Sequence, residues 1–309
     1  MDSLWILISV FGALMQAVRT AAQKTLNQSM SNLGTTYVRS LAGLPVMALY
    51  LALIMATVQG GMPRLTVAYL AATCAGALAQ VLATMLLIYL FKLRNFAIGS
   101  MLIKIDIIMT AALGSLLFSE QLSGTGLLAL LVVLAGVLLI SIARIGLDRL
   151  TTEQPSLMAA LFALPTQVAL GSAFFFTLSY LFLREATLLA EPGNFLWRGA
   201  WTVVIATLMQ TVVLGAYVAW REPAVFAQLW PNRAIITFIG VTSALGSIAW
   251  FTAFALQNAS YVRAVGQIEV VFTLLISWAY FKERLTRMEL AGIALTIAGV
   301  LMFRLIAVT

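Results

Sequence analysis

Apolar residues run in continuous stretches of about 20 along this chain, separated by short polar turns, and they do not alternate or keep to one narrow stripe. Each stretch is long enough to cross a hydrocarbon core of roughly 30 Å. In hydrocarbon every backbone amide must find its partner inside the protein, so only helices or a closed barrel can span. The runs are continuous, which predicts helices. Ten spans follow, at about 4–24, 34–57, 66–91, 96–118, 124–143, 157–183, 195–219, 234–256, 260–281 and 287–306. The connections are short: Gly60-Gly61-Met62-Pro63 after the second span and Glu191-Pro192-Gly193-Asn194 after the sixth. Glu222-Pro223 and Pro231-Asn232 bracket 224–230, which reads as a short surface helix, and the longest link, 146–156, carries Asp148, Arg149, Glu153 and Pro155. The first run begins almost at Met1, is too long for a cleavable leader and has no small-residue cleavage site.

The stretch 95–138, moved forward by 163 residues, falls on 258–301 without a gap. Asn95 meets Asn258, Ile105 meets Ile268, Thr110 meets Thr273, Phe118 meets Phe281 and Leu127 meets Leu290. Asp106 meets Glu269, a carboxylate on a carboxylate. Each copy reads as an apolar helix, a turn beginning Glu120-Gln121-Leu122-Ser123 or Glu283-Arg284-Leu285-Thr286, and a second apolar helix ending in Ala135-Gly136-Val137-Leu138 or Ala298-Gly299-Val300-Leu301. The chain divides into two repeats, 1–145 and 157–309. Five spans per repeat is an odd number, so the second repeat enters the membrane from the opposite side. The expected fold is an all-α polytopic membrane protein of ten transmembrane helices in two inverted five-helix repeats. Inverted repeats place a site near the midplane at their junction, and rocking about it gives alternating access. Small residues at Ala75-Gly76-Ala77, Ala79, Gly136 and Gly299 suit close helix packing in lipid.

Composition narrows the chemistry. The chain is 62% hydrophobic and only 9% charged, which no soluble domain matches. Its net charge of +7 comes from basic residues scattered singly at span ends, where Lys and Arg ordinarily flank a bilayer, so a nucleic-acid partner is not expected. Cys74 has no second cysteine to pair with, and without histidine the usual zinc and haem ligand sets are missing; no metal or cofactor is expected. No phosphate-binding loop points to ATP.

Ionisable groups at membrane depth cost a few kcal/mol and mark function. Asp106 and Glu269 lie about midway along spans four and nine, near the midplane by repeat symmetry. A carboxylate in an apolar cavity can take up a proton near neutral pH, as proton coupling requires; the alternative is a structural ion pair, for example with Lys104 or Arg19. Lys104 is two residues from Asp106, so the two point to different helix faces; if it faces a cavity it can bind an anionic group on a substrate. Arg19 shares a polar stripe with Gln16, Thr20 and Gln23, a face costly against lipid. Arg39 and Arg198 stand at corresponding places in the two repeats and are candidate gates, with snorkelling as the bland alternative. In the aromatic sixth span Phe176 and Tyr180 are an i,i+4 pair that can wall a pocket, with core packing as the favoured alternative. Gln80 and Trp250 are further candidates, while Trp5, Trp220 and Trp230 sit near span ends as an interfacial belt.

The paired Glu-x-Leu-Ser/Thr turns, each followed by Ala-Gly-Val-Leu, resemble the EamA-type branch of the drug/metabolite transporter superfamily, and the resemblance covers the whole chain. It implies a multi-pass carrier of small metabolites such as amino acids, sugars or cofactors, in the cell (inner) membrane, with protons exchanged for substrate in some members. One departure is visible: proline is frequent early in the family's fourth and ninth spans, and 95–106 and 258–269 contain none. Sidedness stays open, because Lys and Arg in alternate connections place both termini outside whereas the resemblance implies both inside. The expected function is secondary transport of a small polar organic metabolite, amino-acid-like or an organic anion, with lipid, substrate and protons as partners. An intramembrane enzyme would need clustered aspartates or histidine, and a channel a continuous polar pore; neither pattern is present.

Overall fold

The structure, a computed structural model, describes residues 3–58, 62–90, 93, 102–145, 163–282 and 285–306. Asn95, Gly60-Gly61, the link 146–156, and Glu283 with Arg284 lie outside the described residues. Among those described, every regular element is helical. We number them α1 Leu4–Leu26, α2 Asn32–Thr57, α3 Val67–Leu90, a 3₁₀ turn Ile103–Ile105 leading into α4 Asp106–Leu117, α5 Gly124–Ile145, α6 Leu164–Leu189, α7 Phe195–Arg221, α8 Ala224–Leu229, α9 Arg233–Leu256, α10 Ala259–Gly266, α11 Ile268–Phe281 and α12 Arg287–Ile306.

Eight of the described segments are long and apolar enough to cross a membrane: α1, α2, α3, α5, α6, α7, α9 and the run Ala259–Ala279 that joins α10 to α11. The short helix expected at 224–230 is α8. Helix starts follow local chemistry. Ser31 accepts a hydrogen bond from Gly34 N at 3.0 Å to open α2, and Asn194 accepts one from Trp197 N at 3.0 Å to open α7. In both, a side-chain oxygen satisfies one of the orphan amides of the first turn. The Ser/Thr of the repeated turn does the same: Ser123 accepts from Gly126 N at 3.1 Å, and Thr286 forms a reciprocal box with Glu289.

The chain forms two compact units, and neither is a sequence repeat. One is built from 4–78 and 182–258, the other from 1–3, 79–181 and 259–309. Each therefore takes helices from both repeats, and α3 and α6 are each divided between the units. In the first unit α2 packs on α7 and α9, and α1 on α9. Its interior centres on Tyr69 and Trp197, with Leu51, Ile54 and Ala200, and on Met47, Leu183, Val203 and Phe251.

In the second unit the dominant packing is α5 on α12, the two helices that end the two repeats. A Cβ added at Gly136 would lie 2.7 Å from Thr296 N and 2.8 Å from Gly292 O, and one at Gly299 would lie 2.8 Å from Val133 N. Helices meet backbone to backbone here, which is what the glycine of the repeated Ala-Gly-Val-Leu run permits. Gly136→Ala is expected to cost about 1–3 kcal/mol through overpacking, read as a lower unfolding temperature in detergent, whereas Ala135→Leu on the exposed face should change little.

Candidate functional site

Span nine and the described part of span four depart from α-helical bonding at the same repeat position. Ile103-Lys104-Ile105 forms a 3₁₀ turn, and its counterparts Gly266-Gln267-Ile268 mark the break between α10 and α11. Around the second break the ladder tightens to three-residue steps: Gln267 N donates to Ala264 O at 3.1 Å and Val270 N to Gln267 O at 3.0 Å. No proline is involved. A short stretch of 3₁₀ bonding is enough to interrupt an α-helix. Each break is followed at once by the repeat's carboxylate, Asp106 as the first residue of α4 and Glu269 in the first turn of α11. The unpaired amides and positive end of a helix favour a negative charge there.

Asp106 is 2% exposed and its partner is Arg263 of α10, Nη2 to Oδ2 at 2.9 Å. The pairing with Lys104 or Arg19 weighed from the sequence is therefore corrected. The Arg263 guanidinium lies over the Tyr180 ring, 4.1 Å from its centroid, and Tyr180 stacks on Phe176 at 6.0 Å with an interplanar angle of 11°. A planar, weakly hydrated cation suits an aromatic face in a dry site. Glu269 lies within electrostatic reach of the same guanidinium. Thr110 and Thr177 of α4 and α6 direct their hydroxyls to the backbone carbonyl of Asp106, at 2.6 and 3.2 Å, and leave its carboxylate alone. Asp106 Oδ1 is buried and accepts no hydrogen bond from any described residue; neither does Gln267 Oε1.

Glu120 fixes the start of α10. Its carboxylate, 4% exposed, accepts from Ala259 N at 2.7 Å, from Ser260 Oγ at 2.6 Å and from Ser260 N at 3.3 Å. The turn that delivers it places Ser119 at φ 53° and ties Glu120 N to Gly114 O at 3.0 Å. Tyr261 adds a second tie, accepting from Ser123 N at 2.8 Å. The turn of the first repeat thus holds the helix of the second repeat that carries Arg263.

The residues singled out from the sequence separate into two groups. Asp106, Glu269, Tyr180, Lys104 and Gln80 belong to the unit just described, and the first three gather around Arg263. Lys104 sits half-buried in the 3₁₀ turn, and Gln80, on α3, is half-buried as well. Gln16, Arg19, Arg39, Arg198 and Trp250 belong to the other unit. There Trp250 Nε1 donates to Gln16 Oε1 at 3.1 Å, while Arg198 Nε donates to Gly193 O at 2.8 Å in the loop before its own helix. That unit also has an apolar hollow of about 350 Å³ lined by Cys74, Leu78, Leu208, Met209, Val212 and Val213, with no polar group to select a polar solute.

Arg263 was not among the candidate residues drawn from the sequence; it lies inside α10, buried and ion-paired. A signal was available, since it is the sole basic residue between Arg233 and Lys282. Glu120 stood out as part of the repeated motif, but its role depends on a contact 139 positions away and has no local signature.

A family model described as the EamA-like transporter family matches residues 3–142 and again 165–305. A solved structure described only as "Crystal structure of protein" matches with a TM-score of 0.71 over 99% of this chain and 99% of its own, at 14% identity, a likeness of fold alone. No curated protein matches the sequence. With two matches that between them take in nearly every described helix, the chain belongs to the EamA-like transporter family, and it is a multi-pass membrane protein.

Proposed function

We propose that this protein is a secondary carrier of a small polar organic metabolite, amino-acid-like or an organic anion, which it moves by alternating access across the cell's inner membrane. The observation that carries the reading is the buried Asp106–Arg263 pair on Tyr180, set beside 3₁₀ bonding at matched repeat positions. Charges are kept at such depth at a cost, and interrupted helices at corresponding repeat positions are how carriers present helix ends and polar groups to a solute. Ten spans in two inverted repeats, 1–145 and 157–309, are part of the proposal. Supporting it, counterpart helices pack on one another within the units: α5 on α12 and α2 on α7. Asp106 and Glu269 flank Arg263 and are the groups assigned to proton coupling.

The test is uptake by sealed proteoliposomes of a radiolabelled panel of amino acids, organic acids, sugars and amines, with and without an imposed pH gradient. At least one solute should accumulate, faster with the gradient. Silence across the panel overturns the carrier reading. Transport indifferent to pH and unaltered in Asp106→Asn and Glu269→Gln overturns the coupling alone.

A further inference from the structure

A buried ion pair offsets the cost of desolvation only when its remaining lone pairs and protons are also satisfied. The Asp106–Arg263 pair fails that condition: Asp106 Oδ1 and Arg263 Nε are both buried and make no hydrogen bond with the described residues. Asp106 is 2% exposed, yet a single 2.9 Å bond holds its carboxylate, Oδ1 accepts nothing from the described residues, and the two hydroxyls near it are engaged by its own backbone carbonyl. What differs is the seating: Arg263 rests on the Tyr180 ring, itself stacked on Phe176, and its helix start is clamped by Glu120. The cation has a ring and a clamped helix behind it, and the carboxylate has the one ion-pair bond.

Resting on the carrier reading above, we infer that Asp106 is an exchangeable resident ligand of Arg263, whose place is taken during transport by a carboxylate on the solute. The resident group defines the class of the visitor: a carboxylate oxygen about 2.9 Å from a guanidinium nitrogen, beside an aromatic face. The solute class is therefore the carboxylates, including amino acids bound through their carboxylate, and excludes amines and neutral amides. Displaced Asp106 waits as the competing anion that expels the solute when the site opens to the other side. Arg263 is the binding residue, and Asp106 sets release.

The probes are succinate, glutamate and leucine, with succinamide and putrescine as the neutral and cationic counterparts of succinate. In wild-type proteoliposomes, uptake of the best-transported carboxylate should be inhibited by the other carboxylates and untouched by succinamide or putrescine. In Asp106→Asn, with the competitor neutralised, the Kd of that carboxylate by calorimetry should fall about tenfold, a 1.4 kcal/mol gain, while turnover drops; Arg263→Lys should weaken binding. Uptake or competition by succinamide or putrescine overturns the inference and leaves the carrier reading standing. So does an Asp106→Asn Kd that is unchanged or higher. If that variant does not fold, the wild-type competition experiment decides alone. Five silent probes in a panel that is silent throughout overturn both readings together.

Discussion

Asp106→Ala is expected to lower the stability of the detergent-solubilised protein by about 3–5 kcal/mol, and Arg263→Ala by a similar amount, because either change leaves one buried charge without its partner. Both side chains are almost wholly inside the protein, at 3% and 11% side-chain exposure, so water cannot compensate the survivor. Asp106→Ala strands a guanidinium over Tyr180 with Glu269 as the remaining nearby carboxylate. Arg263→Ala strands a carboxylate that had one bond to begin with. The double variant removes both charges and should recover part of the loss, so the double-mutant cycle should give a coupling of about 1 kcal/mol or more. Transport should be absent in all three. Chemical denaturation of the four proteins in one detergent reads these values; single variants that each cost under about 1 kcal/mol would show that the pair is solvated and that the site is misassigned.

The second large effect is expected at Glu120. Its two carboxylate oxygens receive two backbone amides and one hydroxyl at the buried start of α10. Glu120→Ala removes all three bonds and leaves the donors in a dry place, a loss of about 2–5 kcal/mol by the usual cost of unsatisfied buried donors and lost caps. Glu120→Gln keeps one acceptor oxygen and should lose roughly half as much by the same reasoning. Ser260→Ala, which deletes only the hydroxyl, should cost about 1 kcal/mol. Because α10 carries Arg263 four residues beyond Ala259, partial loosening in Glu120→Gln should also raise KM more than it lowers kcat. A Glu120→Ala protein as stable as the parent would mean that the start of α10 is solvated and that Glu120 does not position Arg263.

Much of the architecture was legible because it rests on solvent and repetition. Twenty-residue apolar runs leave the backbone no option but helix in hydrocarbon, and the register of 163 residues was visible residue by residue from Asn95 onward. The glycines at 136 and 299 were read as packing positions, and they lie where α5 and α12 approach most closely. Asp106 was legible as a buried charge, and Phe176 with Tyr180 as an aromatic pair four residues apart, because both arguments need only helical spacing and burial. The breaks before Asp106 and Glu269 were not legible, since they come from 3₁₀ hydrogen bonding in stretches with no proline.

By itself the sequence determined the helices, the repeat, the family and the matched carboxylates Asp106 and Glu269, because each follows from local composition or from comparing one stretch with another. Only the tertiary structure decided which residues meet. The two compact units cut across the two repeats, Asp106 chose an arginine 157 positions away over a lysine two away, and Glu120 came to clamp the helix that bears that arginine. The physical reason is that an ion pair in a dry interior is selected by geometry in three dimensions. Lys104 points to another face of the turn, whereas Arg263 is carried to the carboxylate by a helix whose start is pinned from the other repeat.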